Sequence, residues 1–281
     1  MVTQILLLLV IGIFAGILGS ILGIGGGIIL TPALTLLFGL DIQYAISASI
    51  VSVIATSSGA TIAYLKDDLL NLRIAMFLEI ATTIGAIVGA ILTGLVPTGF
   101  LFVLFGSFLL FSTINMLQKL RGKSEVLHQA KSDRLAEKLK LNSTYFDKAT
   151  QQQIDYQVEK VPGGFAMMFG AGLASGLLGI GSGVFKVTAM DTIMKMPLKP
   201  SSATSNLMMG VTAAASAMVY FFRGTILPQI AGPLAIGVLI GATIGSRIMQ
   251  QLQPKWIRLI FIPILVVMGL QMILRGFGVT I

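Results

Sequence analysis

Two closely similar glycine-rich stretches decide how this chain folds, Leu22-Gly-Ile-Gly-Gly-Gly27 and Leu178-Gly-Ile-Gly-Ser-Gly183. They lie 156 residues apart, and each interrupts a long apolar segment. Apolar residues coincide by chance in a hydrophobic chain, but glycines, hydroxyl residues and tyrosines seldom repeat in register. At the same offset such residues do recur, as Gly16 and Gly172, Ser49 and Ser205, Thr56 and Thr212, Tyr64 and Tyr220, Gly85 and Gly241, and Gly89 and Gly245. The sequence therefore predicts two related halves.

The composition of the chain places both halves in a membrane. Hydrophobic residues make up 55% of the 281 positions and charged residues only 11%, whereas a water-soluble domain carries about 25% charged residues. The runs Ile5–Leu22, Ala75–Val96 and Ala166–Ile180 contain a single charged residue, Glu79. About 20 apolar residues cross the hydrocarbon core as a helix, and helices satisfy their own backbone groups there. We therefore expect an all-α, multi-pass protein of the cell membrane.

The first apolar block of each half, Gln4–Leu40 and Gly164–Met196, is too long for one crossing. Its glycine cluster is expected to break the helix, because glycine is a poor helix former. We expect one helix leading into each break and a shorter helix leaving it, followed by three transmembrane helices. The broken pair returns to the side on which it began, so three further crossings turn each half over. This count predicts two inverted-topology repeats.

The distribution of basic residues orients this arrangement, because Lys and Arg concentrate on the cytoplasmic side. With the hydrophilic stretch 119–161 in the cytoplasm, 16 of the 19 Lys and Arg residues face inward. Only Arg223 and Arg275 then face outward, and Lys186 lies within the membrane. A parallel arrangement of the halves would move five more basic residues outside. We therefore expect both termini outside, a first repeat over 1–118, a cytoplasmic basic linker over 119–161 and a second repeat over 162–281.

The linker mixes charges of both signs, with nine of the 19 basic residues and six acidic ones between Lys119 and Lys160. This mixture suits membrane orientation and lipid headgroups rather than nucleic acid. Residues Arg134–Leu141 have helical spacing and Gln153–Glu159 alternate as in a strand, so the linker is either a small folded insert or a tether. His128, the only histidine, is interpreted as a solvated loop residue. The chain has no cysteine, which excludes disulfides and thiolate metal sites.

The glycine breaks are the candidate substrate site. A helix that begins after a break presents unpaired N–H groups and a partial positive charge, and glycine lets an anion approach these groups closely. Paired broken helices in inverted repeats are associated with a substrate site at the membrane midplane. Tight helix packing is the alternative explanation of the glycines. The predicted anion-binding residues of the breaks are Gly23, Gly25, Gly26, Gly27, Gly179, Gly181, Ser182 and Gly183.

Four polar side chains outside the breaks join this candidate site. Ser49 and Ser205 match across the repeat, and Asn206 adds an amide donor. Lys186 lies in an otherwise apolar stretch, where an ionisable group is costly and functional by default. Three roles are open for it: balancing the charge of the substrate, pairing with Asp191, or extending toward the membrane surface.

Glu79 is the one acidic residue of the long apolar runs. It would either couple transport to a proton or pair with a polar neighbour near the inner face. Neither charged residue is repeated, because Leu30 occupies the position equivalent to Lys186 and Ala235 the position equivalent to Glu79. The two halves are therefore not chemically equivalent.

The paired glycine segments, together with Ser47-Ala-Ser49, Ala203-Thr-Ser205-Asn206 and the basic central loop, resemble the sulfite exporter TauE/SafE family. The resemblance covers nearly the whole chain and is strongest over Gly16–Pro32 and Gly172–Asn206. It implies a transporter of sulfite, organosulfonates or related sulfur anions, or of other small carboxylates as in some relatives. Ser182 stands where the family usually has a third glycine, and Thr188 where it often has proline. These departures bear on the substrate rather than on the fold.

We therefore expect a secondary transporter, an exporter of a small anion that binds between the two breaks and is moved by alternating access. The alternative is a proton- or sodium-coupled importer of a small organic acid. A membrane-embedded enzyme would need a catalytic cluster, which the sequence does not offer, and a scaffold would have no use for polar groups at the midplane. The expected partners are the anion and the lipid bilayer, with no cofactor, no metal and no nucleic acid.

Overall fold

The computed structural model of the chain describes residues 2–22, 25–66, 69–121, 133–147, 151–249 and 254–279. Five helices form the first half: α1 (Val2–Leu22), α2 (Gly27–Leu37), α3 (Ile42–Lys66), α4 (Leu72–Thr93) and α5 (Thr98–Arg121). A small insert follows, with α6 (Arg134–Lys138), β1 (Ser143–Asp147) and β2 (Gln152–Tyr156). Five helices form the second half: α7 (Val161–Leu178), α8 (Gly183–Thr188), α9 (Leu198–Phe222), α10 (Pro228–Met249) and α11 (Pro254–Gly276). A π-helical turn, Ala189–Ile193, extends α8.

Six of the helices in the described part of the chain are long and apolar enough to cross a membrane, namely α1, α3, α4, α7, α9 and α10. Large apolar side chains remain exposed along them, such as Phe14, Met76 and Phe222, which are 50%, 75% and 80% exposed. Exposed apolar side chains on this scale suit lipid and not water. The chain is therefore a helical, multi-pass membrane protein, as its composition predicts.

Each half has a break at its glycine cluster. In the first half, α1 ends at Leu22 and α2 begins at Gly27. Gly25 has a φ of +80°, and Gly179 and Gly181 have φ values of +67° and +69°. A side chain is poorly tolerated in this left-handed region, and glycine adopts it freely. The glycines therefore let the chain turn sharply between the two helices of each pair.

Equivalent helices of the two halves make equivalent contacts. Helix α1 packs against α10, and α7, its equivalent, packs against α4. A Cβ atom placed on Gly16 would lie 2.4 Å from the carbonyl oxygen of Val238, and one on Gly172 would lie 2.0 Å from that of Thr82. Val238 is the equivalent of Thr82 at the offset of 156 residues. The same close helix approach, which only glycine permits, therefore occurs between α1 and α10 and again between α7 and α4.

Two further helix pairs consist of a helix and its own equivalent. Helix α3 meets α9 through Ser57, whose hydroxyl donates to the Asn206 carbonyl at 2.5 Å. Nearer the start of α3, the Ser47 hydroxyl lies 2.8 Å from that of Thr225, just past the end of α9. The earlier residue, Ser47, thus contacts the later segment of the other half, and the later residue, Ser57, contacts the earlier one. The two helices therefore run antiparallel. Helices α5 and α11 are also antiparallel, because a Cβ on Gly99 would meet the Gly276 carbonyl and one on Gly106 that of Gly269.

The hydrophilic stretch contains a folded insert. Strands β1 and β2 pair antiparallel, from Ser143 opposite Tyr156 to Asp147 opposite Gln152. The amide of Asn71, just before α4, donates to the carbonyl of Leu141 at 2.8 Å and to the Tyr156 hydroxyl at 3.0 Å. Burial raises the pKa of that phenol. The stretch is thus docked on the helices and is more than a tether, while His128 lies outside the described residues.

Candidate functional site

The two breaks lie side by side in the centre of the helical assembly. A Cβ on Gly25 would lie 3.2 Å from Met209 Sδ and 3.6 Å from Val53 Cγ1. One on Gly181 would lie 2.7 Å from Val53 Cγ1 and 3.3 Å from Met209 Sδ. Val53 and Met209 are equivalent residues at the middle of the 25-residue helices α3 and α9. Both breaks are therefore near the midplane of the molecule.

Part of the glycine pattern serves direct packing between the breaks. A Cβ on Gly27 would come within 2.4 Å of the Gly179 carbonyl oxygen, so no other residue fits there without rearrangement. The Ser49 hydroxyl donates to that same oxygen at 3.1 Å and to the Gly27 carbonyl at 3.3 Å. Ser205 repeats the second contact, with its hydroxyl 3.5 Å from the Gly183 carbonyl. The two serines predicted for the site therefore hold the breaks in place through carbonyl oxygens.

The helices that leave the breaks begin without side-chain caps. Gly26 precedes α2 and Ser182 precedes α8, and neither position supplies a capping hydrogen bond from a side chain. Within the described residues, the buried Ser182 Oγ and Asn206 Oδ1 have no hydrogen-bond partner. The Asn206 amide nitrogen donates to the Ser202 carbonyl at 3.0 Å. N–H groups at the start of each of these helices can bind an anion. Gly23, also predicted for the site, lies outside the described residues.

A charged cluster lies one helical turn beyond the second break. Lys186 is fully buried, and its ammonium group donates to the Thr212 hydroxyl at 2.5 Å. The Thr212 hydroxyl donates to Glu79 Oε1 at 2.6 Å, and Thr83 donates to the same oxygen at 3.2 Å. Lys186 Nζ lies 3.8 Å from Glu79 Oε2. We call Glu79, Thr83, Lys186 and Thr212 the charged cluster.

Sequence reasoning singled out Lys186 and Glu79 separately but did not pair them. The acidic partner of Lys186 is Glu79, on α4 of the first half. The sequence had suggested Asp191 as one possible partner. Lys186 and Glu79 are each the single charged residue of an apolar stretch, and the two charges are opposite. That pattern could have indicated the pair, because a buried charge needs a counter-charge. Thr212, which bridges the two, was visible only as part of a repeated hydroxyl pattern.

The positions equivalent to the charged cluster carry no charge. Leu30 replaces Lys186, Ala235 replaces Glu79, and Leu239 replaces Thr83. Thr56, the equivalent of Thr212, donates to the Ser52 carbonyl of its own helix at 3.0 Å. The helices of the two sites correspond, but the charges belong to one of them. The chemistry of the site is therefore one-sided.

Proteins similar to this chain over most of its length are named as probable membrane transporters. A 28% identical protein of Bacillus subtilis strain 168, "Probable membrane transporter protein YunE", aligns over 96% of this chain and 97% of its own length. "Probable membrane transporter protein MJ0441" of Methanocaldococcus jannaschii is 25% identical, with 95% of each chain covered. "Probable membrane transporter protein YdhB" of Bacillus subtilis is 23% identical over 89% of this chain and 92% of that protein. No solved structure matches the chain.

The family comparison covers the breaks, the charged cluster and both halves in one match. The family described as sulfite exporter TauE/SafE matches residues 8–272. This range takes in both glycine clusters and nearly all of the described helices. The chain belongs to the sulfite exporter TauE/SafE family of membrane transporters.

Proposed function

We propose that the protein is a secondary transporter, an exporter of a small anion such as sulfite or an organosulfonate, which binds between the two glycine breaks. The observation that carries this proposal is the fully buried Lys186, one turn beyond an uncapped helix start and close to the midplane. In this proposal the anion binds to the ammonium group in place of Glu79, which lies 3.8 Å from it, and to the uncapped helix N-termini. The described residues of the breaks are also buried, so a small ligand would be shielded from water.

The transport mechanism in this proposal is alternating access by two inverted repeats, 1–118 and 162–281. The antiparallel α3 and α9, and the antiparallel α5 and α11, support it, since each pair joins a helix to its own equivalent. The breaks touch at Gly27 and Gly179. Entry of a substrate from either side therefore requires the halves to move apart, which suits rocking of one repeat against the other.

We further propose that the protein lies in the cell membrane with both termini facing outward, and that residues 119–161 form a cytoplasmic linker. The two basic residues that this orientation places outside, Arg223 and Arg275, are compatible with it because each caps the end of a helix. Arg223 donates to the carbonyls of Ala90 and Ile91 at the end of α4, at 2.7 and 2.6 Å. Arg275 donates to the Thr35 carbonyl near the end of α2 at 2.5 Å. Their position is thus dictated by backbone carbonyls and not by the rule for basic loops.

The alternative function is a proton- or sodium-coupled importer of a small organic acid. One observation favours a coupled mechanism of this kind, namely the carboxylate of Glu79 beside Lys186. An intramembrane acid next to the substrate site is a common way to bind a coupling proton. The choice between the two functions depends on the substrate and on the gradient that drives it.

Transport by purified protein in liposomes tests the proposal. Uptake and counterflow of labelled sulfite, methanesulfonate, acetate and lactate would rank the substrate classes, with protein-free liposomes as the control. We expect counterflow of at least one sulfur anion above the carboxylates. Saturable transport of a carboxylate alone would select the importer, and no counterflow of any anion would remove the transport proposal.

The orientation has a separate test, which is simple because the chain has no native cysteine. Single cysteines would be introduced after Gly278 and at Glu137, and intact cells would be treated with a membrane-impermeant maleimide. We expect labelling at the first position and none at the second until the membrane is opened. Labelling of both, or of Glu137→Cys alone, would overturn the inverted arrangement.

A further inference from the structure

We propose that the charged cluster couples each anion to one proton: the anion displaces Glu79 from Lys186, and Glu79 takes up a proton as it gives way. This inference rests on the proposed function, because it needs an anion that binds at Lys186. In this inference Glu79 is the residue that binds the proton, and its protonation determines the net charge that crosses the membrane in each transport cycle.

The contacts between Glu79 and Lys186 suit an exchangeable pair. Glu79 Oε2 is buried without a hydrogen-bond partner among the described residues and lies 3.8 Å from the ammonium nitrogen. The shorter link runs through the Thr212 hydroxyl, which lies 2.5 Å from Lys186 and 2.6 Å from Glu79. A bound anion would therefore have to replace one charge contact and not a bidentate ion pair.

Thr212 has a hydrogen-bond acceptor for either protonation state of Glu79. Its hydroxyl donates to Glu79 Oε1 when the carboxyl group is ionised, and the Met208 carbonyl lies 2.9 Å away as a second acceptor. When Glu79 is protonated, its O–H can donate to Thr212 while Thr212 donates to Met208. The hydroxyl therefore remains satisfied as the proton arrives, and no buried polar group loses its partner.

Charge balance links the proton to the anion. In the empty site, the charges of Glu79 and Lys186 cancel. A monoanion added beside an ionised Glu79 would leave a net negative charge in a buried site, which is costly. Uptake of a proton by Glu79 restores neutrality, since Lys186 then balances the anion alone. The site is neutral in both states, so neither state carries an uncompensated buried charge.

No other charged side chain of the described packing elements competes for this role. Helix α7, which packs on α4, has no titratable residue. Lys199 and Tyr220 of α9 lie 13 and 8 residues from Thr212, roughly 20 and 12 Å along the helix. Among the others, Arg73 belongs to the first turn of α4, and Asp191 to the π-helical turn that follows α8.

This coupling makes the anion and the proton travel together in the same direction. Both leave when the product of their concentrations is higher inside, and both enter when it is higher outside. For a monoanion, the transported charge is then zero, and membrane potential does not drive the cycle. An acidic exterior would therefore favour uptake, and a high cytoplasmic anion concentration would favour export.

Proton uptake on binding tests the inference directly. Methanesulfonate and isethionate are suitable probes, because their sulfonate groups hold no proton near neutral pH. Purified protein in weakly buffered solution at pH 7.5 would be mixed with each probe, with a pH electrode recording protons and calorimetry recording binding. We expect about one proton taken up per bound anion.

Two variants make the assignment specific to Glu79. Glu79→Gln imitates the protonated acid, so we expect it to bind the probes without proton uptake. Glu137→Gln makes the same chemical change on the exposed helix α6 and should take up about as many protons as the wild type.

Binding without proton uptake by the wild-type protein would overturn the inference whatever the variants do. So would proton uptake that persists in Glu79→Gln, or a folded Glu79→Gln that no longer binds the probes. If the wild type binds neither probe, the proposed sulfonate site falls, and the coupling falls with it. That outcome is distinct from binding without a proton, which leaves the transport function standing.

Discussion

The charged cluster around Lys186 and the equivalent positions around Leu30 lie on equivalent helices of the two halves but differ in every charge. The features that the two sites share are those that shape the backbone, such as the glycine breaks and the serines that hold them. Only one site received Lys186 and Glu79. The repeat therefore sets the fold, and the departure from the repeat sets the chemistry.

A matched pair of tyrosines shows how closely the backbone follows the repeat. The Tyr64 hydroxyl donates to the Ser20 carbonyl at 3.2 Å, and the Tyr220 hydroxyl donates to the Gly176 carbonyl. The two acceptors are equivalent, as are the two donors. Equivalent substitutions should therefore have equal effects where the halves agree and unequal effects where they differ.

The largest equal effect is expected at the close helix contacts. Gly16→Leu and Gly172→Leu would each place side-chain atoms against a backbone carbonyl that lies 2.4 or 2.0 Å from the Cβ position. We expect each to cost about 3 kcal/mol or more in folding stability. Gly170→Leu is the control, because nothing lies within 4 Å of its Cβ position. Size-exclusion profiles and thermal melts of the three variants give the result, and a severe effect in one half alone would break the equivalence.

An intermediate effect is expected from the breaks themselves. Gly25→Ala and Gly39→Ala both introduce a side chain at positive φ, +80° and +66°, each at a cost of about 1–2 kcal/mol. Only Gly25 lies at the proposed site, whereas nothing surrounds Gly39 within 4 Å. We expect about a tenfold loss of anion affinity for Gly25→Ala, or ~1.4 kcal/mol, and none for Gly39→Ala. Equal anion affinities in the two folded variants would leave packing as the only role of Gly25.

The smallest effect is expected from the tyrosines. Tyr64→Phe and Tyr220→Phe each remove one hydroxyl donor from a buried carbonyl, at a cost of about 1 kcal/mol. Tyr220 also contacts the Thr93 hydroxyl at 3.2 Å, so its loss should be slightly larger. Thermal melts measure both. A change in anion affinity without a change in stability would show that these residues belong to the site and not to the shared framework.

Much of the fold was predictable, because hydrophobic blocks and repeated glycines are local signals. The predicted block Gln4–Leu40 is observed as α1 and α2, Val2–Leu22 and Gly27–Leu37, with the break at the glycine cluster. The predicted block Gly164–Met196 begins within α7, Val161–Leu178, and is broken before α8, Gly183–Thr188. The strand predicted over Gln153–Glu159 is observed as β2, Gln152–Tyr156. Helix α6 ends at Lys138, earlier than the predicted Leu141, since Lys140 adopts a positive φ.

The site was less predictable, because side-chain contacts between distant segments leave no periodic signal. Glu79 and Lys186 are 107 residues apart, and neither is repeated, so the internal repeat could not pair them. The hydroxyls of Ser49 and Ser205 point to carbonyl oxygens, and a residue type alone does not state whether a hydroxyl faces backbone or ligand. The sequence could thus locate the breaks but not the partner of each polar group.

The role of Lys186 in anion binding is tested with a monoanion and a dianion of similar size, methanesulfonate and sulfate. Their affinities would be measured for Glu79→Gln and for Glu79→Gln/Lys186→Gln. The Glu79→Gln background avoids leaving a buried carboxylate without its partner. One positive charge at about 4 Å contributes roughly 4 kcal/mol per ligand charge at an effective dielectric of about 20, before desolvation. If ~1.4 kcal/mol per charge remains, removing Lys186 weakens methanesulfonate about tenfold and sulfate about a hundredfold. That graded loss is the expected result, and equal losses for both anions, or no loss, would contradict a substrate site built on the charge of Lys186.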